Sequence, residues 1–107
     1  MTSFEDRERS FEAKFARDEE MAFRIAARRN KLAAHWAAGL MKLTPAETDA
    51  YAKSVVHTEF EGAGDDDVGR KLLGDLTAAG LDVGEADVRR ALDAADVDAR
   101  RQLMASE

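Results

Sequence analysis

The chain has no cysteine, a single proline and few aromatic residues. Without cysteine it can form neither a disulfide framework nor a thiolate metal site. One proline in a chain rich in alanine and leucine favours helix over sheet. Aromatic residues make up 7% and charged residues 36% of the 107 positions. We therefore expect one helical domain with a modest core.

Long apolar runs are also missing. The longest uncharged run, residues 32–41, has about half the length of the roughly 20 residues that a membrane-spanning helix needs. Residues 5–9 are all charged, where a secretion signal would need an apolar core. We therefore predict a cytoplasmic protein.

Charge is unevenly distributed along the chain. The net charge is −6, but residues 21–43 carry five bases and no acid. The simplest interpretation is charge complementation between this basic segment and acidic helices around it. A chain that is acidic overall makes a poor nucleic-acid binder, so we expect no nucleic acid among its partners.

The most regular apolar pattern lies in residues 20–41 and predicts the central helix. Its large apolar residues recur at steps of seven, four, four and three, as on one face of a helix: Ile25, Leu32, Trp36, Leu40 and Leu43. The segment has no proline and is rich in alanine, so helix propensity agrees with the period. Together with three further helices, it predicts an all-α four-helix bundle over residues 20–107.

Three further helices are predicted at about residues 45–60, 65–79 and 85–104. Thr44, Pro45 and Glu47 form a helix-start signal, residues 62–64 have loop composition, and Gly80 is a helix C-cap residue. The side chains expected to point inward are Tyr51, Ala52, Val55, Val56 and Phe60, then Val68, Leu72, Leu76 and Ala79, then Val88, Leu92, Ala95, Ala99 and Leu103.

Residues 1–19 differ from the rest, and we call them the arm. Phe4, Phe11 and Phe15 are spaced seven and four apart, so they share one helical face within a dense mixture of acids and bases. Isolated helices of this length are marginal in water. The arm is therefore docked on its own bundle, or it waits, partly disordered, for the groove of a partner. In a third interpretation it simply continues the central helix, with its phenylalanines buried in the core.

No constellation in the sequence supports catalysis, a cofactor or a metal site, so we predict that the chain is not an enzyme. The serines lack a nearby histidine pattern, and no glycine loop could cradle a phosphate. The two imidazoles, His35 and His57, have no second ligand one turn away and are interpreted as structural. Residues 65–67, three aspartates, fit helix capping better than a calcium loop.

Much of the chain closely resembles the ζ (zeta) subunit, the inhibitor of the α-proteobacterial F-type ATP synthase. Residues 1–41 are the most specific part of the likeness. Two further stretches add to it: Tyr51, Ala52, Lys53, Val55, Val56 and Phe60, and then the run from Asp67 to Leu72. In the last helix only the pattern of apolar and charged positions matches.

The resemblance implies a four-helix bundle with a mobile N-terminal inhibitory segment, free as a monomer. In that family the segment folds into the head of the synthase at a catalytic α/β interface near the γ subunit. There it blocks ATP hydrolysis as a one-way stop. The chain would contact the membrane only through the synthase, from the cytoplasmic side. Carried onto this sequence, the inhibitory residues are Phe4, Arg7, Glu8, Arg9, Phe11, Lys14 and Phe15. Phe11 departs from the small or polar residue of other members, which puts the groove contact at that position in doubt.

A second hypothesis is an adenine-nucleotide sensor. Stacking and charge at Trp36, Tyr51 and the bases Arg28, Arg29 and Lys31 would form its site. Helix packing is the alternative use of Trp36.

Overall fold

A computed structural model describes the backbone of residues 3–61 and 65–105 and the side chains of residues 18–58 and 67–105. It has four helices: α1 (Ser3–Leu40), α2 (Pro45–Glu61), α3 (Asp65–Ala78) and α4 (Glu85–Ala105). No strand occurs in the described ranges. The all-α four-helix prediction is confirmed, and the bounds of α2, α3 and α4 agree with the predicted ones to within about one residue.

The start of α1 differs from the prediction. The helix begins at Ser3 rather than at about residue 20, so the arm and the central helix form one element of 38 residues. At 1.5 Å per residue this helix is about 57 Å long. Its sequence contains no proline, and its one glycine, Gly39, is at the end, so nothing interrupts the backbone hydrogen bonds. The continuous backbone matches one part of the third interpretation, while burial of the three phenylalanines and mobility of the arm both stay predictions.

The core is built from small residues of α1 and larger aliphatic residues of the other helices. Ala33, Ala34 and Ala37 of α1 are buried, and they pack in one cluster with Val55, Val68, Leu72, Leu76, Val88 and Leu92. Leu32 and Trp36 lie at the edge of this cluster, half-buried, while Leu40 is 40% exposed. The predicted stripe is therefore wrong for Leu40, because alanines bring the neighbouring helices close to a different strip of α1.

The inward residues predicted for the other helices are largely confirmed. All five predicted for α4 are buried. Val68, Leu72 and Leu76 of α3 are fully buried, whereas Ala79 is exposed because α3 ends at the residue before it. In α2, Ala52 and Val55 are buried and Tyr51 and Val56 half-buried, while the side chain of Phe60 lies outside the described residues.

A second, smaller cluster joins α1 to the C-terminal turns of α4. Ile25, Ala99 and Leu103 are buried together, and Met21 and Leu32 pack against them. Near this cluster in the sequence, Asn30 is fully buried, and the guanidinium of Arg29 donates to its Oδ1 from Nε at 3.0 Å and Nη2 at 2.8 Å. The pairing satisfies a polar atom that would otherwise be costly to bury.

Helix ends follow the predicted signals at two places. The Thr44 N–H donates to Glu47 Oε1 at 2.9 Å and the Glu47 N–H to Thr44 Oγ1 at 3.2 Å, a reciprocal capping box. Gly80 has φ 82° and ends α3 in a Schellman motif, with the Leu81 N–H donating to the Leu76 carbonyl at 3.1 Å.

Lys42 ends α1 in the same way without being glycine. Its φ is 60°, and the Leu43 N–H donates to the Ala38 carbonyl at 3.0 Å. A side chain in this left-handed conformation costs about 1–2 kcal/mol. The loop between α1 and α2 therefore contains a strained residue.

Candidate functional site

The arm forms the first turns of α1, and the structure describes only its backbone there. The side chains of all seven predicted inhibitory residues lie outside the described side chains: Phe4, Arg7, Glu8, Arg9, Phe11, Lys14 and Phe15. Because residues 3–17 are helical, positions 4, 11 and 15 share one face, as the spacing predicts. The partner contacts of these residues stay predictions.

The base of the arm adjoins the end of the bundle. Asp18, Met21 and Ala22 of α1 line an open cleft of ≈ 370 Å³ together with Asp96, Arg100 and Met104 of α4. Among the described side chains of α1, which begin at residue 18, Ile25 is the first that is buried, and residues 18–20 are exposed. The last turns of α4 therefore lie beside the point where the arm leaves the core.

The residues predicted for a nucleotide site face different neighbours. Arg28 Nη1 donates to Gln102 Oε1 of α4 at 2.8 Å, and Arg29 bonds the buried Asn30. Lys31 lines a cleft against α2, whereas Trp36 lines another against α4. The structure does not bring these side chains into one cleft, and nucleotide binding stays a prediction.

Tyr51, the fifth of these residues, joins α2 to α3. Its hydroxyl donates to Asp75 Oδ2 at 2.7 Å, and Lys71 Nζ lies 3.1 Å from the same oxygen and 5.4 Å from the centre of the Tyr51 ring. Burial, followed by this hydrogen bond and the charge of Asp75, raises the pKa of Tyr51 well above its ordinary value. The phenol therefore remains a neutral donor, and we interpret it as a helix-to-helix tie.

Three described bases of α1 lack the ion pairs that the sequence analysis expected. In the described part of the chain, five ion pairs lie within α3 or α4 and join residues three or four positions apart. Among the residues that the structure describes, Arg24, Arg28 and Lys31 make no ion pair. The expected charge complementation is wrong for these three bases. The signal that sequence reasoning missed is their spacing of four and three, which places them in one line.

Neither a metal cluster nor a membrane span is found in the described part of the chain. There, no three histidine or acidic side chains lie close enough together to hold a metal ion. No described helix has both the length and the apolar character that crossing a bilayer requires. His35 and His57 are both exposed, on α1 and α2.

Comparison with known proteins decides the family. The family model described as ATPase inhibitor subunit zeta matches residues 1–102, a range that includes the arm, helices α1 to α3 and most of α4. The chain belongs to the ATPase inhibitor subunit zeta family. Among solved structures, this zeta chain is similar to one determined by solution NMR, with 41% identity and a TM-score of 0.70. The likeness covers 81% of this chain and 99% of the other. No curated protein matches the chain.

Membership gives the zeta chain its general role. The family consists of ATPase inhibitor subunits associated with the F-type ATP synthase, so this chain is a regulatory protein of that enzyme. The match begins at residue 1, so the arm is part of what defines the family and not an appendage to it.

Proposed function

We propose that this zeta chain inhibits ATP hydrolysis by inserting its arm into the head of the F-type ATP synthase, at a catalytic α/β interface near γ. The observation that carries the proposal is the family match to an ATPase inhibitor across the arm as well as the bundle. The continuity of α1 supports it, because a helix that begins at Ser3 can present the face shared by positions 4, 11 and 15 to a groove.

In this proposal the bundle and the arm have separate roles. Among the described side chains, residues 18–58 and 67–105, the two core clusters draw on all four helices from position 21 onward, and we infer that the bundle folds around them. The arm's three phenylalanines would instead be buried in the partner, and aromatic side chains dominate the energy of such contacts. The bundle, held near the head, would raise the effective concentration of the arm at its groove.

Deleting residues 1–18 tests the proposal. The truncated chain is expected to lose inhibition of ATP hydrolysis by the isolated synthase head. Its urea unfolding midpoint, followed by Trp36 fluorescence, is expected to stay close to that of the full chain. A second variant replaces Phe4, Phe11 and Phe15 together by alanine and keeps the length of the helix. The proposal is wrong if either variant inhibits as strongly as the full chain.

A further inference from the structure

Three bases on α1 form an exposed line that we call the basic stripe: Arg24, Arg28 and Lys31. Steps of four and three place them within a narrow sector of the helix. Between positions 24 and 31 the helix rises about 10 Å. The stripe begins less than two turns after Asp18, so it continues along the same helix that carries the arm.

Within the described residues, no carboxylate forms an ion pair with the stripe. In the described part of the chain, Arg24 and Lys31 make neither an ion pair nor a side-chain hydrogen bond, and Arg28 bonds only the neutral amide of Gln102. On α4, by contrast, Arg90, Arg100 and Arg101 each pair with an aspartate one turn away: Asp87, Asp96 and Asp98. Although the net charge of the chain is −6, this line of bases has no ion pair with any described carboxylate.

One further base and two carboxylates lie near the stripe. Lys31 lines an open cleft of ≈ 370 Å³ against α2, with an apolar floor that includes Val56 and with Lys53 and His57 on the opposite side. Asp49 lines the same cleft, and Glu20 precedes Arg24 by one turn, yet neither carboxylate pairs with the stripe. A partner can approach the positive charges of this face, because four bases are exposed there: Arg24, Arg28, Lys31 and Lys53.

We propose that the basic stripe docks on an acidic protein surface. This inference rests on the proposed function: with the arm inserted in the synthase head, the acidic surface would lie at the rim of the groove that receives the arm. An acidic surface complements the charge of the stripe, which pairs with no carboxylate among residues 18–58 and 67–105. Charges at the rim of an interface mainly set the rate of association and its salt dependence.

Charge reversal tests the stripe against a matched control. The test variant carries Arg24→Glu, Arg28→Glu and Lys31→Glu. The control carries Arg70→Glu, Arg90→Glu and Arg101→Glu, three side chains that are 78%, 72% and 73% exposed and lie on α3 and α4. Both variants change the net charge equally, and the control also breaks three exposed ion pairs, so slower inhibition by the stripe variant alone cannot come from net charge or from lost ion pairs. Circular dichroism and urea unfolding establish that each is folded.

The measurement is the rate at which each variant begins to inhibit ATP hydrolysis by the isolated head. At low ionic strength we expect the stripe variant to act about 10-fold more slowly than the parent chain, the lower end of electrostatic steering effects. The difference is expected to shrink in about 0.5 M salt, where screening shortens the reach of charges to a few ångströms. At saturating concentration, the stripe variant is expected to reach full inhibition. Replacing the same three bases by glutamine is expected to give an intermediate rate.

Equal slowing of the stripe and control variants, or a slowing that does not depend on salt, would overturn the inference. So would a parent chain that sediments with phosphatidylglycerol vesicles through the stripe while the stripe variant inhibits at the parent rate. That outcome would assign the stripe to a lipid surface. The arm deletion separates the two proposals. If it abolishes inhibition but the stripe variant acts like the control, only the stripe proposal fails.

Discussion

Replacing Tyr51 by phenylalanine tests the hydrogen bond that joins α2 to α3. The change removes the hydroxyl that donates to Asp75 at 2.7 Å and leaves the ring beside Lys71. A hydrogen bond to a charged group contributes about 1.5–3 kcal/mol. Asp75 is 36% exposed and keeps Lys71 at 3.1 Å, so water and the ammonium can compensate in part. We therefore expect a loss of about 1.5 kcal/mol in the free energy of unfolding, at the lower end of that range.

The assay is urea unfolding of the parent chain and the variant at pH 7 and at high pH. Because folding raises the pKa of Tyr51, its contribution to stability is complete below the ordinary value near 10 and is lost as the pH rises toward the folded pKa. The parent chain is therefore expected to lose stability above about pH 10, whereas the Tyr51→Phe variant lacks this component of the loss. A double-mutant cycle with Asp75→Asn isolates the pair. Equal stability of the parent and the variant at pH 7, or parallel pH curves, would refute the reasoning.

Three further outcomes are expected. Lys42→Gly relieves the strain of the left-handed backbone and is expected to raise the free energy of unfolding by up to about 1 kcal/mol. Gly80→Ala, at φ 82°, is expected to lower it by a similar amount. Urea unfolding measures both changes. Glu47→Gln is expected to reduce the loss of stability in acid. The hydrogen bond from the Thr44 N–H lowers the pKa of Glu47 in the folded chain. The Glu47 carboxylate therefore stabilises the fold above its ordinary pKa near 4.5, and this contribution is lost as the pH falls. Unfolding midpoints between pH 7 and pH 3 measure that difference. If the predicted nucleotide site exists, ATP at millimolar concentration changes Trp36 fluorescence; an unchanged spectrum removes that hypothesis.

The sequence could predict the helix ends where specific residue chemistry determines them. Thr44, Pro45 and Glu47 fix the start of α2, and Gly80 supplies the left-handed residue that ends α3. Lys42 does the same for α1, but no composition signal marks a lysine as a left-handed cap. The aliphatic stripe of α4 was predictable because its large residues are its buried ones.

The sequence was a weaker guide to α1. Its mixed-charge start looks unlike the alanine-rich segment that follows, yet no residue between them stops a helix. The periodicity of large residues predicted that Leu40 would face the core. In the structure the buried residues are Ala33, Ala34 and Ala37, whose small side chains allow the neighbouring helices to approach α1 closely. The spacing of the basic stripe is visible in the sequence. The sequence does not show that these bases lack ion pairs with the described carboxylates, because ion pairing depends on where the other helices lie.

The uninterrupted course of α1 has a geometric consequence for the arm. Each residue of a helix turns the chain by about 100° and advances it by about 1.5 Å. Described side chains of α1 pack against α4 from Met21 onward, and the helical backbone extends from there back to Ser3, so the two parts of the helix share one rotational register. Inserting one alanine near residue 20 would swing the phenylalanine face a quarter turn or more away from the stripe, while seven inserted residues would nearly restore the alignment. The number of residues between the arm and the bundle therefore fixes the angle between the phenylalanine positions and the basic stripe.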